Sequence, residues 1–191
     1  MARERLFLLG GSYREEGKNV VVELYGRTPS GESVVALVSG FEPYFQLTEP
    51  DAEQLGRLKD EGEVVRVESD GAPLWVRGSF RPVATVRLHH PWLVPDFRER
   101  YRRSGEEASV LACDIPFVHR FLYDLHLGLT IAFEAEEANE AERARYAVGR
   151  VLRVLPTAKG FVERCEPFRP PLTYLSFDIE NAIKERTIYT L

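Results

Sequence analysis

Residues 5–40 alternate short apolar runs with turn residues, and no other feature constrains the fold as much. Val20, Val22 and Leu24 would share one face of an extended chain, with Val21 and Glu23 on the other. The runs 5–9, 19–25 and 33–39 are separated by Gly10-Gly11 and by Thr28-Pro29-Ser30-Gly31, which read as turns. A small antiparallel β-barrel-like unit is therefore expected over residues 1–40.

The rhythm then changes. Residues 41–47 are aromatic and strand-like, and Thr48-Glu49-Pro50-Asp51 supplies a helix start. Leu55 and Leu58 give that helix an apolar side, and Gly62 stops it. Strands are predicted over 64–67, 74–80, 83–88 and 109–113. Between the last two, Trp92, Phe97 and Tyr101 mark the apolar side of a helix that ends at Gly105. The order strand, helix, strand, strand, helix, strand is that of a ferredoxin-like βαββαβ layer, expected over 41–133. Pro116 opens a further apolar helix through Leu125. Residues 134–171 read as a connector containing an exposed polar stretch over 134–145. The apolar positions over 148–155 suit either helix or strand. Arg169-Pro170-Pro171 is a stiff linker, since neither proline can donate to a ladder. After it, 172–179 reads as an apolar strand, and residues 172–191 are too few for a core of their own. The fold class is α+β.

Composition narrows the function. At 44% hydrophobic residues, a disordered chain is excluded, and no apolar run approaches the roughly 18 residues needed to span a bilayer. The apolar run near the N-terminus breaks after four residues, so neither a secreted nor a membrane protein is expected. Cys113 and Cys165 lie 52 residues apart without metal-site spacing, and read as reduced thiols in the cytoplasm. The net charge of −5 argues against a nucleic-acid partner. Locally the balance differs: residues 77–103 carry seven arginines against Asp96 and Glu99, or +5, whereas 134–142 hold five glutamates and no base. Only Lys18, Lys59, Lys159 and Lys184 of the 25 basic residues are lysine. Such arginine usage suits phosphate contact, and equally reflects genomic base composition.

The sharpest local motif is Asp178-Ile179-Glu180. On a strand, residues two apart point the same way, so the two carboxylates share a face suited to a hard divalent cation, as in two-metal nucleases. Taken alone, the pair reads as readily as a solvated strand end. Its surroundings add weight. FRPPLTYLSFDIEN (168–181) resembles the entry to the 3'-5' proofreading exonuclease domain of family B DNA polymerases. YREEGK (13–18), FEPYF (41–45), HPWLVP (90–95) and DIPFVHRFL (114–122) resemble that family's N-terminal domain, above all in its archaeal members, in the family's order and with similar spacing. The resemblance covers residues 6–191.

It implies a polymerase N-terminal domain over 1–133 and the first strand of a ribonuclease H-like exonuclease domain over 172–191. It also makes Asp178 and Glu180 magnesium ligands in a longer parent enzyme. Asn181 departs from the family's usual threonine. Two carboxylates without their partners hold magnesium weakly, so no cofactor, nuclease or polymerase activity is expected of this chain alone, which reads as an amino-terminal fragment. The implied partners are single-stranded template DNA and the remainder of the polymerase polypeptide or a separate polymerase chain.

In archaeal members the same domain acts as a sensor that captures deaminated template bases, uracil above all, and stalls synthesis. The positions matching that pocket are Tyr13, Pro43, Tyr44, Pro91, Val94, Pro95, Ile115, Pro116, Phe117 and Arg120. Prolines and Phe117 would form stiff walls, backbone near Tyr44 and Ile115 would pair with the base edge, and Arg120 would meet a phosphate. Individually each residue has a plainer use: the prolines fall at turns or helix starts, Ile115 and Phe117 suit a core, Tyr13 suits a strand, and Arg120 suits a surface ion pair. Arg98, Arg100, Arg102 and Arg103 would flank a template path or form a solvated helix face. His89 and His90 lack a third metal ligand nearby and read as a strand end. Two rival functions remain: a short metal-dependent 3'-5' exonuclease completed by oligomerisation, and a non-catalytic module bound to a separate polymerase chain.

Overall fold

A computed structural model describes residues 2–102, 109–158 and 160–173, together with the backbone of 180–182 and 187–190. The period-two segments form β1 (Ala2–Glu16), β2 (Asn19–Arg27) and β3 (Ser33–Ser39), a meander in which β2 pairs antiparallel with both neighbours. Three strands leave two open edges, and distant chain closes them. β10 (Thr130–Glu137) pairs antiparallel with β1, from Ala2↔Ala135 to Phe7↔Thr130. β11 (Arg150–Val154) runs parallel to β3 and antiparallel to β10. The result is a closed five-stranded barrel, β1-β2-β3-β11-β10, with the short β12 (Glu163–Arg164) beside β10. Closure removes the unpaired edges that a three-stranded unit over 1–40 would expose.

Several expectations change in consequence. Residues 134–154, read as connector, supply half of β10 and all of β11. The stretch open to helix or strand becomes strand because β3 offers it an unpaired edge. Gly10-Gly11 is not a turn. β1 continues through it with a register shift between Leu8 and Gly10, and the reversal falls at Gly17, whose φ is +61°. The Arg169-Pro170-Pro171 linker lies on the barrel. Phe168 packs edge-on against Phe7, the Arg5 guanidinium stands 4.7 Å from the Phe168 ring centre, and a Cβ on Gly31 would come 2.9 Å from the Pro171 ring.

The second sheet lies between β3 and β10 in sequence. It has the order β5-β8-β4-β9, built from β4 (Tyr44–Thr48), β5 (Val64–Glu68), β8 (Val83–Leu88) and β9 (Val110–Leu111), with antiparallel pairings. Helix α1 (Ala52–Asp60) joins β4 to β5, and a short 3-10 helix (Pro91–Leu93) running into α2 (Val94–Tyr101) joins β8 to β9. Asp51 caps α1 by accepting from the Gln54 N–H while the Gln54 side chain accepts from the Asp51 N–H, a reciprocal capping box. Leu58 and Phe97 from the helices pack with Phe45, Val86 and Leu88 of the strands. Between β5 and β8 stands a hairpin of β6 (Leu74–Val76) and β7 (Ser79–Arg81), with Trp75 and Phe80 paired edge-to-face and exposed.

Helix α3 (Phe117–Asp124) follows the second sheet in sequence yet packs on the barrel: Phe117 and Phe121 join Leu6, Leu24, Val38 and Ile131 in its core. This seats the start of α3 at the junction of the two sheets. Ala138 and Tyr146, on either side of a short α4 (Glu140–Arg143), join Val21, Val35, Leu37 and Val151 in a second apolar cluster on the barrel. Asp178 lies outside the described residues, and Glu180 opens a two-stranded ladder of β13 (Glu180–Ala182) and β14 (Thr187–Thr190). Among the described residues no helix is long and apolar enough to cross a membrane.

Candidate nucleic-acid interface

Four separated segments meet at that junction. Tyr13 comes from β1, Pro43 and Tyr44 from the entry to β4, Pro91, Val94 and Pro95 from the 3-10 helix and the start of α2, and Ile115, Pro116, Phe117 and Arg120 from the start of α3. All ten line one cleft of about 310 Å³. That is near the lower end of ligand pockets, which run from roughly 300 to 1,000 Å³. Sequence reasoning missed four further lining residues, Trp92, Ala112, Cys113 and Asp114. Trp92 and Asp114 stand inside the quoted HPWLVP and DIPFVHRFL segments, and Ala112 and Cys113 immediately precede the second.

The cleft combines buried apolar walls with an open rim. Pro43, Val94 and Phe117 are buried, whereas Pro95 and Pro116 are exposed. Tyr13 is 38% exposed and stands at the rim, its ring edge-to-face with Phe117 at 5.4 Å. Phe117 is held from behind by Phe41, which packs in turn on Phe121. Pro43 fixes φ at the entry to β4, and its carbonyl accepts from the Leu88 N–H at 2.8 Å, so this wall is tied to the second sheet. Pro116 occupies the N-cap position of α3 and its carbonyl accepts from the Arg120 N–H at 2.9 Å.

Arg120 is committed inside the protein. Its Nη1 donates to the Tyr44 hydroxyl at 3.1 Å and its Nη2 to the Ala112 carbonyl at 3.0 Å. The Tyr44 hydroxyl donates onward to Asp124 Oδ2 at 2.8 Å, and the Tyr44 ring lies between Arg120 (4.8 Å) and Arg87 (5.3 Å). These contacts clamp α3 against β4 and against the 112–116 segment. Burial and the bond to Asp124 raise the Tyr44 pKa, opposed by Arg120, so the hydroxyl stays a donor at neutral pH. Ala112 has φ +65°, an unfavourable conformation for alanine, and its carbonyl is the one that Arg120 engages. Cys113 beside it donates to the Leu111 carbonyl, and burial pushes its pKa up to about 11, against Arg98 and Arg120, so it is a thiol rather than a nucleophile.

The arginines of α2 are engaged in surface pairs. Arg98 meets Glu99 at 2.9 Å, and Arg100 meets Glu61 at 2.8 Å while its guanidinium stands over the Phe97 ring at 4.1 Å. Arg103 lies outside the described residues. His89 Nδ1 is 3.1 Å from the Lys18 carbonyl, and His90 stacks on Trp92. Among the described residues no group of three or more histidine, cysteine or acidic side chains is placed to hold a metal ion.

A mixed α+β chain with this pairing of sheets has the fold of the N-terminal region of archaeal family B DNA polymerases, and its sequence matches that region too. The chain is 30% identical to DNA polymerase 2 of Aeropyrum pernix over 190 residues, 94% of this chain and 23% of the relative. Among solved structures, the family B DNA polymerase from the hyperthermophilic archaeon Pyrobaculum calidifontis aligns with a TM-score of 0.67 and 22% identity, over 88% of this chain and 21% of that one. The chain thus spans less than a quarter of the length of each of these polymerases. No protein-family model matches it.

Proposed function

We propose that this chain is the template-binding N-terminal region of a family B DNA-directed DNA polymerase, and that its cleft captures deaminated bases, uracil above all, from single-stranded template ahead of synthesis. One observation carries the reading: ten residues drawn from four distant segments line a single cleft. A template base must leave the stack to be read, and extruded bases are held by apolar walls together with hydrogen bonds to the base edge. Pro43, Val94 and Phe117 supply such walls. None of the described residues hydrogen-bonds to the peptide groups of Ile115, so they are available to a base edge. Cytosine carries an amino donor where uracil carries the O4 acceptor and would mispair there.

Thymine differs by one methyl group, which a pocket distinguishes by only about 1–3 kcal/mol, and only if its walls do not yield. The Arg120 clamp, the Phe41-Phe117-Phe121 stack and the prolines supply that stiffness. Arg120 serves in this reading as the brace of the cleft, with any phosphate contact secondary. The reading carries a cytoplasmic location. Within it, the second sheet is a ferredoxin-like layer and residues 172–191 open a ribonuclease H-like exonuclease domain. In that domain Asp178 and Glu180 would be magnesium ligands.

Fluorescence anisotropy with labelled single-stranded oligonucleotides tests the reading. A uracil-containing strand binds more tightly than its thymine counterpart, and Val94→Gln fills the cleft and abolishes the difference. Equal affinity of the wild-type chain for both strands overturns it. Magnesium-dependent release of nucleotides, lost in Asp178→Ala, would instead identify a short exonuclease.

A further inference from the structure

Trp92 is not among the positions that the family resemblance assigns to the cleft, yet it lines it and is 54% exposed. A large aromatic side chain left so open forgoes the burial that normally makes tryptophan a core residue. Its ring is nevertheless held in place. The indole lies nearly parallel to the His90 imidazole, with centroids 5.6 Å apart and planes 14° from each other. His90 is itself largely enclosed, its side chain 12% exposed and its Nδ1 3.6 Å from Glu15 Oε1 on β1. The backbone beneath is a 3-10 helix pinned by the buried Leu93, which packs in the core of the second sheet. The indole is thus a stiff aromatic plate at the cleft, backed on one face and open to solvent elsewhere.

We propose that Trp92 is the stacking platform for the base next to the captured one in single-stranded DNA. The inference rests on the cleft being a base-capture site and adds a second contact that sets its sequence context. Extruding a base into the cleft breaks its stack with the neighbour and leaves that neighbour's face uncovered. Trp92 replaces the lost partner. Base–aromatic stacking tolerates any base but grows with overlap, so a purine neighbour binds better than a pyrimidine, and an abasic neighbour worst.

The experiment uses the full chain and strands carrying one uracil whose flanking position, on each side in turn, holds adenine, thymine or an abasic site. Wild-type affinity falls in that order for one side. Trp92→Ala weakens binding of the adenine-flanked strand about tenfold and brings the three flanks to equal affinity, while Trp92→Phe retains most of the preference. In Trp75→Phe protein, Trp92 is the sole tryptophan, and its emission is quenched more by the adenine-flanked strand than by the abasic one. Flank-independent affinity in wild-type protein that still prefers uracil to thymine overturns the Trp92 role and spares the cleft reading. Loss of the uracil preference in wild-type protein removes both.

Discussion

The Tyr44 phenol and the Arg120 guanidinium engage each other in two ways: Nη1 donates to the hydroxyl at 3.1 Å, and the guanidinium carbon stands 4.8 Å from the ring centre. The two residues are 76 positions apart, and their contact joins β4 of the second sheet to α3 of the barrel. Tyr44→Phe is expected to cost about 1 kcal/mol, and Arg120→Ala about 2 kcal/mol because the Ala112 carbonyl also loses its donor. The double variant costs less than the sum, since the same bond is lost only once. Urea unfolding of the four proteins measures the coupling, and strict additivity would remove the clamp from the account of the cleft.

Three glycines separate close approach from mere presence. A Cβ on Gly26 would stand 2.3 Å from the Phe7 carbonyl oxygen, and one on Gly11 would stand 2.7 Å from Val118 Cγ1 on α3. Gly56, in the middle of α1, meets nothing within 4 Å. Gly26→Ala and Gly11→Ala should each destabilise by about 1–3 kcal/mol, and Gly11→Ala should also weaken the cleft by displacing the helix that carries Phe117 and Arg120. Gly56→Ala should stabilise by about 0.5–1 kcal/mol through helix propensity. Thermal midpoints of the three variants rank these effects.

Glu23 is 6% exposed on β2 and accepts from the hydroxyls of Tyr25, at 2.6 Å, and Tyr146, while Arg14 Nε stands 3.3 Å away. Its removal leaves two phenols without their acceptor and takes one carboxylate from beside Arg14, which keeps Glu16 and Glu142, so Glu23→Ala should cost about 2–3 kcal/mol, well above an exposed glutamate such as Glu53. Denaturant midpoints of the two alanine variants make the comparison.

Alkaline pH should unfold the chain through its tyrosines. Burial, reinforced by bonds to carboxylates, raises the pKa of Tyr25, Tyr44, Tyr101 and Tyr146, with Tyr101 pushed up to about 12 by burial and Glu61. Below pH 10 these phenols are protonated in both states, and their contribution is intact. Above the ordinary value of about 10 the unfolded chain releases protons that the folded chain keeps, so stability falls as pH rises toward 12. Absorbance at 295 nm should show late-titrating tyrosines in folded protein, and Tyr101→Phe should flatten the loss.

Much was legible in local order. Period-two apolar residues mark β1 to β3 because each strand must turn one side inward. The Thr48-Glu49-Pro50-Asp51 sequence marks the start of α1 because an unpaired helix end needs a side-chain acceptor. Pro116 marks α3 for a related reason: its fixed φ suits a helix entry and it has no N–H to leave unpaired. The ten cleft positions were legible only as residue types in family order, and no periodicity among them indicates that they meet.

What the chain alone determined is therefore where most of its strands and helices begin, since those choices depend on neighbours a few residues apart, whereas the Gly10-Gly11 segment and residues 148–155 waited on their partners. Tertiary structure decided which strand pairs with which: that β11 lies along β3 and β10 along β1, and that α3 leaves the second sheet for the barrel. It also kept Gly10-Gly11 paired within β1, past a register shift at Leu9, and it turned Trp92 outward against His90. The physical reason is that closing a barrel and forming a cleft depend on contacts between segments up to about 130 residues apart. Their energies come from surfaces that exist only once the other half is in place.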